Sequence, residues 1–233
     1  MWRQIKGLLY FYSTDIRSTL IIFWSILIST TIGSIIISAL IKNSEINMIF
    51  SLSFALYIFF IIFGFNAVKK LIPFSIKIGA TRKNIFLSVG IFLFGFALSQ
   101  AILVNIAQTI FTKVIDFLDL QTYSFVHPGE MLLTDTWINR VIIDTGIMFF
   151  MAITMYVFGL LFYKYGLLGG GSASGVLVLL FMVGLTTGWV TNTMKQLFQT
   201  MDSMFFVQMT GIALIIYVFT WVFMNKLTLE KEV

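Results

Sequence analysis

The residues of this chain that could do chemistry fall into two sets: cations gathered in one loop, and amides and hydroxyls set singly into apolar runs. The loop carries Lys69, Lys70, Lys77, Arg82 and Lys83. Such a cluster offers electrostatic docking rather than bond-making. Its spacing is punctuated: Pro73 suits the first turn of a helix, and Phe74 and Ile78 share a face. Gly79 can stop that helix, and Thr81 can cap the next. This predicts a short helix lying across the membrane face, with Pro73, Phe74, Lys77, Ile78, Gly79, Thr81, Arg82 and Lys83 offered to a docking partner. A bare positive loop that only sets orientation is the alternative, and it would need no such punctuation.

Catalytic constellations are missing. There is no G-x-x-x-x-G-K-[ST] phosphate loop and no H-E-x-x-H, and zero cysteines exclude thiolate chemistry and disulfides. The single histidine lies in His127-Pro128-Gly129, which reads as a turn in a loop. Ser172 and Ser174 have no histidine partner on any span. Arg140 and Asp144 stand at i, i+4 near the end of an apolar run and read as a local salt bridge. With no carboxylate or histidine expected at mid-membrane, proton-coupled transport is disfavoured, although sodium could be held by carbonyls and hydroxyls. No enzymatic activity is expected of the chain, and no metal or cofactor.

The uncharged polar residues could line a path or pack helices. Ser25, Ser29 and Gly33 recur at i, i+4, i+8, the spacing at which small residues let helices approach. Gln100, Asn105 and Gln108 fall within roughly 140° of helical arc and must face protein or a wet cavity, since amides in lipid are costly. Asn66 ends an apolar run. Gly171/Gly175 and Gly184/Gly188 are small-x-x-x-small pairs on opposite faces, predicting a helix packed on two neighbours.

These residues need elements to hold them, and composition says which. Of 233 residues 59% are hydrophobic and 11% charged, and the mean hydropathy is +0.98. Globular chains average about 45–50% apolar and about 25% charged, so an all-α membrane protein forming a single transmembrane domain over 1–233 is expected. About 20 apolar residues cross the hydrocarbon, and six stretches qualify, near 20–41, 46–68, 85–111, 140–163, 170–190 and 205–225. The first run is longer than a signal h-region and lacks a cleavage site. Before it, Ile5, Leu8, Leu9, Tyr12 and Ile16 share one helical face. This predicts an amphipathic interfacial helix over 2–17; a plain basic N-terminus is the other reading.

With the N-terminus inside, Arg3, Lys6, Arg17, Lys69, Lys70, Lys77, Arg82, Lys83, Lys164, Lys226 and Lys231 are cytoplasmic, leaving only Lys42, Lys113, Arg140 and Lys195 outside. The acids Glu45, Asp116, Asp119, Glu130, Asp135, Asp144 and Asp202 fall outside. The Lys/Arg bias sets orientation, so both termini are expected in the cytoplasm. The net charge of +5 then reflects loop asymmetry and attraction to anionic inner-leaflet lipid, not nucleic acid. Trp137 and Trp189 near one boundary, and Tyr12, Tyr163 and Tyr165 near the other, agree with that frame.

Over its whole length the chain resembles the permease subunit of a type-two ABC transporter: an N-terminal amphipathic helix, six spans, both ends inside, and Gly79-Ala80-Thr81-Arg82-Lys83 before the third span. The resemblance implies that the loop around Pro73–Lys83 is a coupling helix seated in a groove of an ATPase. ATP and Mg would be bound by two copies of that cytoplasmic subunit. A second copy of this permease, or a near relative, would complete the path, lined by the first, second and fifth spans. Residue usage resembles low-GC Gram-positive bacteria, whose small six-span permeases export amphipathic or toxin peptides or confer resistance to them; a bacterial plasma membrane is implied. Many relatives carry re-entrant helices between the fifth and sixth spans, whereas Thr191–Met204 is short here. An acid-rich outer loop between the third and fourth spans could favour exit of cationic cargo, or be plain solvated surface. The competing readings are an ATP-independent carrier or channel and a toxin-binding immunity scaffold.

Overall fold

A computed structural model describes residues 2–41, 47–120, 122–129 and 135–224. Lys42, Glu45, Glu130, Lys226 and Lys231 lie outside the described residues. So do the first residue assigned to the second span and the last assigned to the sixth. The chain runs α1 (Trp2–Leu40), β1 (Met48–Phe50), α2 (Leu52–Lys77), α3 (Arg82–Phe117), β2 (Tyr123–Phe125), α4 (Trp137–Thr186), α5 (Trp189–Thr200) and α6 (Ser203–Met224). Five of these helices, all but α5, are long and apolar enough to cross a membrane. The strands form one short parallel pair, Met48 opposite Tyr123 and Phe50 opposite Phe125. That pair ties the α1–α2 connection to the α3–α4 connection at one end of the bundle.

Three boundaries differ from those read in the sequence. The amphipathic segment and the first span form a single helix, α1, of 39 residues. No breaker lies between Asp15 and Leu20, so the backbone continues once the segment's apolar face is satisfied. Ile5, Leu8, Tyr12 and Ile16 are buried, as the periodicity requires, but against α2 and α3. Second, the segment containing Pro73 continues α2. Proline lacks an N–H and restricts the residue before it, yet α2 carries it near its C-terminal end. Third, most of the Thr191–Met204 connection is taken up by α5, a strongly amphipathic helix of 12 residues that begins at Trp189.

The fourth and fifth predicted spans run as α4, whose 50 residues are broken at Gly166 (φ 65°, ψ −163°). A straight helix of that length would be about 75 Å long, far beyond the roughly 30 Å hydrocarbon. A side chain is strained at this backbone angle, which glycine adopts freely. The turn is tight: a Cβ on Gly170 would meet the Phe162 ring at 2.4 Å.

The first arm of α4 is the centre of the bundle. It meets α2 where backbones nearly touch: a Cβ on Gly64 would lie 2.3 Å from the Ala152 carbonyl oxygen, and one on Gly159 2.7 Å from that of Phe65. On its other side α6 closes in, with Gly146 against the backbone of Phe206 and the Tyr217 hydroxyl donating to the Phe86 carbonyl at 2.5 Å. Between α2 and α3 a ring cluster fills the core, with Phe60–Phe96 centroids 5.0 Å apart, Phe63–Phe96 5.1 Å and Tyr12–Phe92 5.4 Å. The second arm of α4 is different. Val176 through Val183 are all exposed, and no atom of the described residues lies within 4 Å of a Cβ built on Gly171 or Gly175. Gly184 lies against Val190 and Trp189 of α5, and Gly188 (φ 74°) turns the chain into that helix. The Gly184/Gly188 pair therefore makes a turn rather than the span–span contact its spacing predicted.

Candidate functional site

At the α2–α3 turn the Gly79 stop and the Thr81 cap form, but the separate short helix expected to start at Pro73 does not, because α2 runs through it. Gly79 sits in the left-handed region at φ 75°. Its N–H bonds the Ile76 carbonyl at 2.9 Å and the Ala80 N–H bonds that of Ser75 at 3.0 Å. This paired closure satisfies the last carbonyls of α2. Thr81 then caps α3, its hydroxyl accepting from the Asn84 N–H at 3.4 Å. The turn leaves Lys77, Ile78, Gly79, Thr81, Arg82 and Lys83 exposed, with Pro73 and Phe74 half-buried.

Behind this tip, α1 is its backing. Phe11 and Phe74 stack with centroids 3.4 Å apart. Ser75 donates to the Leu71 carbonyl, so the Tyr12 hydroxyl donates to Ser75 Oγ, at 2.7 Å. Asn84 Nδ2 donates to Gln4 Oε1 at 2.5 Å. A force applied at the tip thus reaches α1, α2 and α3 together. Phe74 faces inward, so the exposed apolar group of the tip is Ile78, at 56% exposure.

At the strand end lies a polar centre that sequence reasoning missed. Asp144, expected to pair with Arg140 at an interface, is fully buried. Arg140 instead bonds Asp135 through Nε and Nη2. Asp144 Oδ1 accepts from the Tyr57 hydroxyl at 2.6 Å and meets His127 Nε2 at 3.1 Å. Its Oδ2 accepts from Asn105 Nδ2 at 2.8 Å and from the Ser53 hydroxyl at 3.3 Å. Four partners thus arrive from α2, α3 and the segment after β2. They occupy about as many positions as a carboxylate can accept, which is what lets an acid remain in an apolar interior.

His127, read as a loop residue, is also fully buried. The turn reading survives in part, because the Gly129 N–H donates to His127 Nδ1 at 2.9 Å. That bond settles the tautomer: Nδ1 carries the lone pair and Nε2 the proton given to Asp144. Ser53 bonds the acid and not the imidazole, so these three residues do not have the nucleophile–base order of a hydrolytic triad. Just outside, Arg140's hydrogen bonds hold the Asp135 carboxyl below the usual carboxylate range.

The three amides of the third span are all buried, as their cost in lipid required, but they do not form one site. Gln100 Oε1 accepts from Trp24 Nε1 at 2.9 Å, joining α1 to α3. Asn105 serves Asp144, and Gln108 is 2% exposed. Ser25 and Ser29 are exposed, and among the described residues no atom lies within 4 Å of a Cβ built on Gly33. Asn66 borders a cleft of about 360 Å³ between α1 and α2, together with Asp15, Thr19 and Lys70 over walls of Phe59 and Phe63. None of the five residues at Asp144 lines that cleft.

Signals for the missed centre were present. Ser53 and Tyr57 stand at i, i+4, and Asp144 lies in an apolar run where an acid must find donors. The fold and its long apolar helices define a membrane-embedded, predominantly helical protein. No family model, no curated protein and no solved structure matches the chain.

Proposed function

We propose that the chain is the membrane-spanning subunit of an ATP-driven exporter of the type-two ABC class. It would work as a dimer with two cytoplasmic ATPase subunits that hold ATP and Mg. The α2–α3 tip carries the reading. A rigid, capped turn joins two long helices, presents Lys77, Ile78, Arg82 and Lys83 to solvent, and is braced from behind by Phe11, Tyr12 and Gln4. A loop that only set orientation would need neither the cap nor the bracing.

Counting the two arms of α4 separately gives six crossings, with α5 lying along the outer surface and both termini inside. Ser25 and Ser29 are exposed and no described residue lies within 4 Å of a Cβ on Gly33, which suits contact of this face of α1 with a second copy across the path. ATP-driven closure of the motors would move the tips and switch the dimer between two access states. The cargo would be an amphipathic or hydrophobic substrate, a peptide in the reading we favour, leaving across a bacterial plasma membrane. Co-expression with candidate ATPases tests this: the wild-type chain retains one on purification, and Arg82→Glu with Lys83→Glu releases it.

One observation favours an ion-coupled carrier instead, namely the buried carboxylate Asp144. Transport by the isolated chain in liposomes without ATP would decide for that alternative.

A further inference from the structure

We propose that the cleft between α1 and α2 holds one phospholipid with a primary-ammonium headgroup, drawn from the leaflet on the side of the α2–α3 tip. The inference needs only the embedding of the chain in a membrane. It needs neither the ATPase nor a second copy.

The cleft encloses about 360 Å³, within the range of about 300–1,000 Å³ in which small-molecule sites fall. Its two walls run antiparallel, because Phe11 stacks on Phe74 near the tip while Phe23 lies 4.7 Å from Phe59 further in. The lining is therefore sorted by depth. Asp15 of α1 and Lys70 of α2 stand nearest the tip, Thr19 and Asn66 lie one helical turn deeper, and Phe63 and Phe59 wall the remainder.

From Lys70 to Phe59 the helix rises about 16 Å, close to half of the roughly 30 Å hydrocarbon. The cleft is thus about as deep as one leaflet, polar at its mouth and apolar within. The Phe59 and Phe63 rings are parallel, at an interplanar angle of 1° with centroids 6.1 Å apart. They make a flat wall for an acyl chain.

The mouth selects the head. Among the described residues Asp15 and Lys70 make no ion pair with each other, so both remain on offer. Asn66 Nδ2 donates back to the Ile62 carbonyl at 3.0 Å, which leaves Oδ1 to accept. Ser13, Thr14 and Ser25 of α1 donate to carbonyls of their own helix. The Thr19 hydroxyl makes no such bond among the described residues.

Two donors and two acceptors thus face one opening. A phosphodiester accepts from the Lys70 ammonium and the Thr19 hydroxyl. A primary ammonium beside it donates to the Asp15 carboxylate and to Asn66 Oδ1, and such charge-assisted bonds are the strong ones. A quaternary choline head has no N–H to give. An anionic head without an amine sets its phosphate beside Asp15 with no return. The chemistry that fits is an ethanolamine phospholipid.

Native mass spectrometry of the delipidated full-length chain tests this, with phosphatidylethanolamine, phosphatidylcholine and phosphatidylglycerol of the same acyl chains supplied together. One ethanolamine lipid per chain is expected, retained about tenfold better than either competitor, the factor that one hydrogen bond to a charged group is worth. Asp15→Asn should erase the preference over phosphatidylcholine. Thr19→Trp, at an exposed position, fills the mouth and should abolish retention. Asp116→Asn, exposed at the far end of α3, is the control and should keep the preference. Stronger retention of phosphatidylglycerol overturns the proposal in favour of plain attraction of anionic lipid to the basic loop. Equal retention of all three lipids overturns it too, as does an unchanged preference in Asp15→Asn. Binding of an amphipathic cationic peptide that Thr19→Trp blocks, with no lipid retained, would make the cleft a cargo site instead. If Thr19→Trp does not fold, Asp15→Asn still decides.

Discussion

At the scale of single residues, Asp144 shows how an apolar bundle keeps a buried carboxyl. Its cost is met by donors brought from α2, α3 and the segment after β2, and the same donors become liabilities when the acid is removed. Asp144→Ala would leave the donors of Tyr57, Asn105, Ser53 and His127 buried without their acceptor. A loss of at least about 1–3 kcal/mol, the cost of an unsatisfied buried donor, is expected, measured as a fall in the midpoint of thermal unfolding in detergent. A loss below about 1 kcal/mol would mean that water replaces the carboxylate. Asp135 behaves differently because it is 41% exposed. Arg140 lowers its folded-state titration, so its stabilisation is complete above the ordinary carboxylate range and disappears as pH falls through the lowered value. For an exposed pair the effect is about 0–1 kcal/mol. Melting of Asp135→Asn against wild type across acid pH should show the difference only above that value.

Local signals made some of these residues legible and left others hidden. Burial of Gln100, Asn105 and Gln108 follows from the cost of amides in lipid, and Thr81 and Gly79 follow from capping rules. The Asp144 centre was hidden because its contacts span 87 residues to Tyr57 and 91 to Ser53. Helical spacing offered Arg140 as a nearer partner. Spacing reports what two residues can reach, not which neighbour from another helix reaches first.

At the scale of elements, helix contacts were less visible than helix faces. The apolar face of the N-terminal segment was plain, but the core that Leu8, Tyr12 and Ile16 join depends on tertiary packing. Pro73 read as a start because the rule is local, whereas α2 carries it near its end. The closest helix contact was not anticipated, since Gly64 and Gly159 lie outside the small-residue pairs recognised in the sequence. Gly64→Leu should be costly, because what it meets is the backbone of Ala152. At least about 1–3 kcal/mol is expected from overpacking, with a lower yield of folded protein by fluorescence-detected size exclusion. Gly171→Leu, with nothing nearby, is the control and should leave the isolated chain unaltered. At the tip, Gly79→Val places a branched side chain at φ 75°, where the strain is about 1–2 kcal/mol or more. Its expected result is weaker ATPase retention with little change in chain yield; unchanged retention would show that the shape of the turn is unimportant.

At the scale of the whole molecule, one end of the bundle is tied by strands and the Asp144 centre, and the other presents a braced basic tip. Those features suit a lever worked from one side and opened on the other. The most direct measurement reconstitutes the chain with the ATPase proposed to drive it in proteoliposomes and follows amphipathic peptide export with and without ATP, for wild type and for Arg82→Glu with Lys83→Glu. ATP-dependent transport by the wild type, abolished in the double variant while the chain itself stays folded, is the predicted result. Transport that proceeds equally without ATP or an ATPase would contradict the proposal.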